Sequence, residues 1–404
     1  MSKPPIFIVG VQRSGTTLLA ALLAAHSRLS CGPETHFFRW LAQVDPNSLT
    51  TEATWPETAV SFLAHIQHTH YKGEGRRSLL SKYNLTEAEV SGYLVDKRPL
   101  ITNLLASITE PYMHQAGKQR WVEKTPDHIE YLPLIRTHFP DSPIIRIVRD
   151  PRDVALSLMK VPWGAKSFLE ALLFWQRRDQ ASRSFFDTDP LSYTLHFEQL
   201  VADPHQTISH LCHFLDEPFE ASMLDTSSSG QQVNSAAVAW KRKASQPVDP
   251  NRLAVWQQTL TPAQNQLAEA LLGDRLMAYG YPRLVDFNRY GQVYPAVPLA
   301  PKYEPGLTAV AADGIRFWPK DDEARGETAV TIYLGDPGHD NWLGQSWLEQ
   351  LRQTTHLSYD LLRSRLSHHL VYWIHQTQHE QWSGLCAYWL KTLFLAPYSR
   401  RIVV

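Results

Sequence analysis

The chain has 404 residues, with 39 Lys and Arg against 40 Asp and Glu and a formal net charge of −1. That balance excludes the clearly basic surface by which nucleic-acid binders hold their partner. Its 43% apolar and 20% charged residues describe a globular chain with a real core.

Cys31, Cys212 and Cys386 lie far apart and form no CxxC pair, so a reducing compartment is expected and a disulfide framework is not. "MSKPP" runs straight into an apolar stretch with no charged-then-apolar leader, and no apolar run reaches membrane-spanning length. A cytoplasmic chain without a transmembrane segment is the expectation.

"IFIVGV", Ile6 to Val11, is a continuous, β-branched run that suits a strand buried on both faces of a parallel sheet. A helix over Leu18 to Leu29 follows. From Ala42 to Tyr112, amphipathic pieces separated by "KGEGRR" and "DKRP" predict short helices forming a lid or substrate wall. "RWVEKTPDHIEYLPLIRTHFP" reads as a strand, a turn at Thr125-Pro126 and a helix ending at Pro140. Ile144 to Val148 is a strand. Asp150 can cap the next helix, with Pro151 at its first position and Asp153 in its first turn. Tyr193 to Phe197 and Pro204 to Leu215 repeat the strand–helix theme, which argues for a parallel α/β sheet with helices on both faces.

Asp225 to Pro250 is polar and reads as a loop or cover. Arg252 to Tyr279 is predicted helical, ending at Gly280. Proline-rich residues 286–305 form a linker or wrapping segment. In the remaining extension, 306–404, "GIRFWPK" and "TAVTIYLG" read as strands and Trp347 to Phe394 as largely helical. His375 and His379 have a metal-compatible spacing but no clear third ligand, so ordinary satisfied or surface histidines are expected.

The chemistry-bearing motif is Gly10-Val11-Gln12-Arg13-Ser14-Gly15-Thr16-Thr17. A glycine-rich turn between strand and helix converges backbone N–H groups on one anion. Thr16 and Thr17 add hydroxyls, and Arg13 adds a planar cationic fork. Thr16 stands where a nucleotide triphosphatase carries lysine, which weakens ATP or GTP hydrolysis. An incidental strand–helix turn and an altered P-loop kinase are the alternatives. The kinase would prefer ATP and require magnesium.

"RSGTT" followed by "IVRDPRDVALSLMK" resembles the sulfotransferases that use 3′-phosphoadenosine 5′-phosphosulfate (PAPS), over about residues 5–283. The resemblance implies a P-loop-like three-layer α/β fold with a central, mainly parallel sheet, occupying residues 1–285. It implies PAPS as sulfuryl donor, adenosine 3′,5′-bisphosphate (PAP) as product, and no metal requirement. Gln12, Arg13, Ser14, Gly15, Thr16, Thr17 and Lys124 would hold the phosphosulfate. Arg149 and Ser157 match the pair that clamps the ribose 3′-phosphate, although a salt bridge to Asp150 or Asp153 is the plain alternative for Arg149. Arg242, in the basic run Lys241 to Lys243, stands where the family often has a late basic loop, and a solvated face explains it as well. Trp240 beside it could stack on adenine. Glu198 and Pro204 match scaffold positions.

"CGPETHFF" is similar to heparan-type carbohydrate sulfotransferases, in which the corresponding glutamate is the base. That implies Glu34, with His36 or His128 as alternatives. In tyrosylprotein sulfotransferases the base falls one position earlier, where this chain has Pro33. "VEKTPDH" resembles the EK(S/T)P segment of the same enzymes. It implies Lys124 at the leaving group and leaves Glu123 to pair with Lys124 or line the acceptor site. The acceptor would be a hydroxyl or amine on a glycan, a lipid headgroup or a small metabolite. A non-catalytic nucleotide-binding scaffold is a further alternative. It would bind PAP without turnover.

Overall fold

The structure, a computed structural model, describes residues 3–68, 77–165, 168–227, 229, 249 and 252–284, and four short strand segments beyond them. The chain divides into two compact units, Met1–Arg149 with Arg177–Leu253, and Asp150–Gln176 with Ala254–Val404.

The first unit carries strands β1 (Ile6–Gly10), β2 (Leu29–Cys31), β3 (Gln67–His68), β4 (Arg77–Ser78), β5 (Arg120–Lys124), β6 (Ile144–Val148) and β7 (Ser192–His196). Five of them form one sheet in the order β2-β5-β1-β6-β7, every neighbouring pair parallel. β3 and β4 pair as a small antiparallel ribbon.

β1 lies at the centre because its residues are apolar on both faces. Phe7 and Val9 enter one core with Phe37, Phe38, Leu104 and Ile108. Ile6 and Ile8 enter the other with Leu19, Leu22, Leu200 and Ile208. All four β1 side chains are fully buried, each worth roughly 1.5–3 kcal/mol. This is the expected three-layer α/β arrangement. The carboxyl ends of β1, β5 and β6 lie side by side at Gly10, Lys124 and Val148, the edge at which open α/β sheets bind ligands.

Several boundaries differ from the sequence expectation. The first helix ends at Ala24, and Leu29 belongs to β2. Glu220 accepts from the Ser27 amide at 2.7 Å, and Ser27 lies in the turn between them. β7 begins one residue earlier than expected, and Phe197 opens the next helix.

In the second unit, the helix expected over Arg252–Tyr279 is two, Trp256–Thr259 and Pro262–Ala278. Thr261 starts the second with a reciprocal capping box to Gln264, a local signal that outweighed the continuous apolar pattern. Asp150 caps helix Pro151–Leu158 as expected. It also binds the fully buried Arg152 guanidinium through both carboxylate oxygens, at 3.0 and 2.8 Å. Arg152 lies 3.4 Å from the Trp256 ring centre, and Asp153 accepts from the Trp256 amide at 2.9 Å. Ser157 is half-buried on the same helix.

The helical expectation for Trp347–Phe394 is overturned at residues 371–376 and 381–386, and the rest of that span lies outside the described residues. β10 (Val371–Gln376) pairs antiparallel with β11 (Gln381–Cys386), after β8 (Tyr294–Pro295) and β9 (Phe317–Trp318) have paired likewise. "VYWIHQ" and "QWSGLC" are rich in aromatic and branched residues, and the polar "TQHE" between them suits a hairpin connection. "TAVTIYLG" and the run Trp240 to Lys243, including Arg242, lie outside the described residues. No helix among the described residues is long and apolar enough to cross a membrane.

Candidate active site

The loop after β1 is shaped by two close approaches. A Cβ on Gly10 would meet the Ile147 carbonyl oxygen at 2.8 Å, and one on Gly15 would meet Phe197 Cδ2 at 2.4 Å. Gly15 has φ +108 and Arg13 has φ +74, a left-handed conformation that costs a non-glycine residue roughly 1–2 kcal/mol.

Gly15 is the N-cap of helix Thr16–Ala24 and, lacking a side chain, makes no side-chain cap hydrogen bond there. The first-turn amides therefore point at the loop's concavity, where the helix dipole favours an anion. Ser14 Oγ is fully buried and has no hydrogen-bond partner among the described residues. An orphaned hydroxyl beneath a glycine cradle is what a phosphate oxygen would satisfy.

Arg149 follows β6. Its Nη1 donates to the Arg13 carbonyl at 3.4 Å and its Nη2 to the Arg252 carbonyl at 2.8 Å. Its guanidinium also lies 4.5 Å from the Phe197 ring centre. Burial, then the charges of Arg149 and Arg252, lower the Arg13 pKa to about 10, with Glu34 acting the other way.

Beside the loop, Lys124 Nζ donates to Glu34 Oε1 at 2.5 Å, and the lysine side chain is fully buried. His36 Nε2 lies 3.7 Å from Glu34 Oε2, and His36 Nδ1 lies 3.5 Å from Asp127 Oδ2. Gln12 Nε2 also donates to Asp127. Burial would raise the Asp127 pKa, but the hydrogen bond and charge of His36 and the charge of Arg178 bring it below the usual value. Asp127 is therefore ionised at neutral pH.

Glu123 neither pairs with Lys124 nor lines an acceptor site. It is turned inward, 1% exposed, and accepts from Thr35 Oγ1 at 2.7 Å and Thr125 Oγ1 at 2.6 Å. Its other oxygen lies 2.9 Å from His128 Nδ1. The Phe38 amide donates to His128 Nε2 at 3.3 Å, so that nitrogen accepts and Nδ1 carries the proton. Burial opposes ionisation of Glu123, yet the hydrogen bonds from His128 and the two threonine hydroxyls hold its pKa below the usual value. Both His128 nitrogens are engaged, Nδ1 with Glu123 and Nε2 with the Phe38 amide.

The sequence profile described as the Sulfotransferase family matches residues 4–221, just over half of the chain. The chain belongs to the sulfotransferase family. It is 25% identical over 306 residues to Protein-tyrosine sulfotransferase 1 of Danio rerio, covering 73% of this chain and 77% of the relative. An uncharacterized Aquifex aeolicus protein is 24% identical over 286 residues, which span 66% of this chain and 33% of that protein. Among solved structures, the sulfotransferase domain from the curacin biosynthetic pathway is 21% identical. Its TM-score is 0.49, with 70% of this chain and 99% of that one covered.

In this sulfotransferase the first unit brings together Gln12, Arg13, Glu34, His36, Lys124 and Arg149 through the contacts above. Arg252 was not among the candidates drawn from the sequence. It is a single basic residue in "VDPNRLAV" with no motif around it, whereas Lys241 to Lys243 form a denser basic run. Among the described residues no group of three or more His, Cys, Asp or Glu side chains could hold a metal ion.

Proposed function

We propose that this sulfotransferase moves a sulfuryl group from PAPS to a hydroxyl of a polar, carbohydrate-like acceptor, with Glu34 as base. The observation that carries the reading is the 2.5 Å contact between Glu34 and the buried Lys124, at the carboxyl end of the strand next to the glycine loop. PAPS, when bound, supplies an activated sulfuryl group whose bond to the phosphate oxygen breaks as the acceptor oxygen bonds to sulfur, leaving PAP.

Gln12, Arg13, Ser14, Gly15, Thr16 and Thr17 would hold the phosphosulfate, through loop amides, hydroxyls and the Arg13 fork. Lys124 has three N–H donors, so it can keep Glu34 oriented and still offer a cation to charge developing on the leaving oxygen. Glu34 would take the acceptor proton. His36, next in line toward Asp127, would orient the acceptor hydroxyl. These groups around Glu34 are polar and charged, which favours a polyhydroxylated acceptor over a purely apolar one. The similarity to a protein-tyrosine sulfotransferase favours a second reading, a tyrosine hydroxyl. Pro33, where the residue before Glu34 would have to act, counts against it. Assaying PAP release with oligosaccharide and with tyrosine-peptide acceptors separates the two.

Titration calorimetry tests the donor reading. PAP is expected to bind far more tightly than ADP. Arg149→Ala should remove most of that preference, since a charge-assisted hydrogen bond contributes about 1.5–3 kcal/mol, or roughly 10- to 150-fold. Equal, weak binding of both nucleotides would overturn the assignment.

A further inference from the structure

We propose that Tyr83 is a positioning residue for sulfuryl transfer: its hydroxyl, on the Pro33 carbonyl, sets where Glu34 stands. The proposal rests on the reading of Glu34 as base and adds the residue that aims it.

Residues 32–36 belong to no helix or strand, so no ladder of backbone hydrogen bonds fixes the stretch that carries Glu34. Side chains hold it instead. Tyr83 Oη donates to the Pro33 carbonyl oxygen at 2.6 Å. That oxygen lies in the rigid peptide plane that ends at the Glu34 Cα. The plane after Glu34 is held as well, because the Thr35 amide donates to Thr125 Oγ1 at 3.1 Å. The Glu34 Cα therefore stands between two anchored planes, and from there its carboxylate reaches Lys124.

Tyr83 is itself firmly seated. It is buried, it follows helix Leu79–Lys82, and its amide donates to the Leu79 and Leu80 carbonyls at 3.3 and 3.0 Å. Its ring meets Tyr112 edge-on, with centres 5.3 Å apart. A Cβ on Gly32 would meet Tyr83 Cε1 at 2.6 Å and Oη at 2.7 Å, so the absence of a side chain there lets the ring approach. Burial, then the charge of Glu123, push the Tyr83 pKa up, so the hydroxyl keeps its proton and remains a donor. A ring that only filled the core would need no hydroxyl. This one joins the residue before the base to the helical stretch expected as a lid or substrate wall.

Tyr83→Phe removes the hydroxyl and keeps the ring. Single-turnover release of PAP from PAPS is measured with the oligosaccharide or tyrosine-peptide acceptor that the wild type sulfates. It should slow by roughly 10- to 100-fold, the scale of loss when a reacting group is misplaced by about 1 Å. PAP affinity by calorimetry should stay that of the wild type. Because Tyr83 acts through Glu34, Tyr83→Phe combined with Glu34→Gln should be no slower than Glu34→Gln alone. Gly32→Ala crowds the same ring and should show the same split, slower transfer with unchanged PAP affinity, so the result does not hang on one variant.

A merely structural tyrosine would lower the melting temperature of Tyr83→Phe and leave its transfer rate at the wild-type value, and that result overturns the proposal. So does a double variant slower than Glu34→Gln by the full factor of Tyr83→Phe. Wild-type transfer by Glu34→Gln removes the base reading and this proposal with it. Lost transfer in Glu34→Gln beside a wild-type rate in Tyr83→Phe rejects this proposal alone.

Discussion

Glu34→Gln is expected to leave PAP affinity nearly unchanged and to cut sulfuryl transfer by about 10²- to 10⁴-fold, the usual contribution of a positioned general base. Glutamine keeps the shape of the side chain and an oxygen that can accept from Lys124 Nζ, a contact of 2.5 Å in the wild type. The substitution therefore spares the placement of the cation. It removes the ability to take a proton, and it removes a negative charge that helps balance Arg13. Single-turnover transfer from PAPS, measured beside PAP titration, separates the two effects. Loss of transfer with retained binding identifies Glu34 with the proton-transfer step. Retained transfer would move the base elsewhere, and His36, 3.7 Å away, would be the next residue to change. His128 would not follow, since both its nitrogens are engaged in the buried Glu123 network.

What was legible in the sequence was local. β1, the glycine loop and β6 each announce themselves within a few residues: an apolar run, two glycines, then a helix start. Boundaries were lost where a distant group ends an element, as at Ser27, which binds Glu220. Glu123 shows a signal that was present and unused. Neighbouring residues of a strand point to opposite faces, so Glu123 and Lys124 could not both reach the ligand edge in the same way. Trp121, two residues before Glu123, enters the core that holds Phe38, while Val122 faces the other core. Glu123 follows Trp121 and Lys124 follows Val122. The bond from Arg149 to the Arg252 carbonyl was not legible at all, because it joins residues 103 apart in the chain. The paired strands at 371–376 and 381–386 were misread because short aromatic runs satisfy helical and strand patterns alike.

Gly15→Ala should be the most damaging change in the glycine loop, although it removes no group that could touch a ligand. With φ +108, any Cβ is strained, at a cost of roughly 1–2 kcal/mol. The new methyl would also meet Phe197 Cδ2 at 2.4 Å, Phe197 Cε2 at 2.9 Å and Ile147 Cδ1 at 3.2 Å. Phe197 is 1% exposed and packed in the core with Leu19 and Leu200, so it has little room to retreat. Overpacking of this kind adds about 1–3 kcal/mol. The sum is a large part of the roughly 5–15 kcal/mol that holds a typical protein folded. The strain also reaches the site, because Phe197 lies beneath the Arg149 guanidinium, which in turn holds the Arg13 carbonyl. A lower melting temperature and weaker PAP binding are therefore expected together. Adding Phe197→Leu should recover part of the stability by clearing the ring, while the backbone penalty at Gly15 remains. A Gly15→Ala protein with wild-type melting and PAP affinity would show that the loop accommodates a side chain. The close approach of Phe197 would then have no part in shaping the anion site.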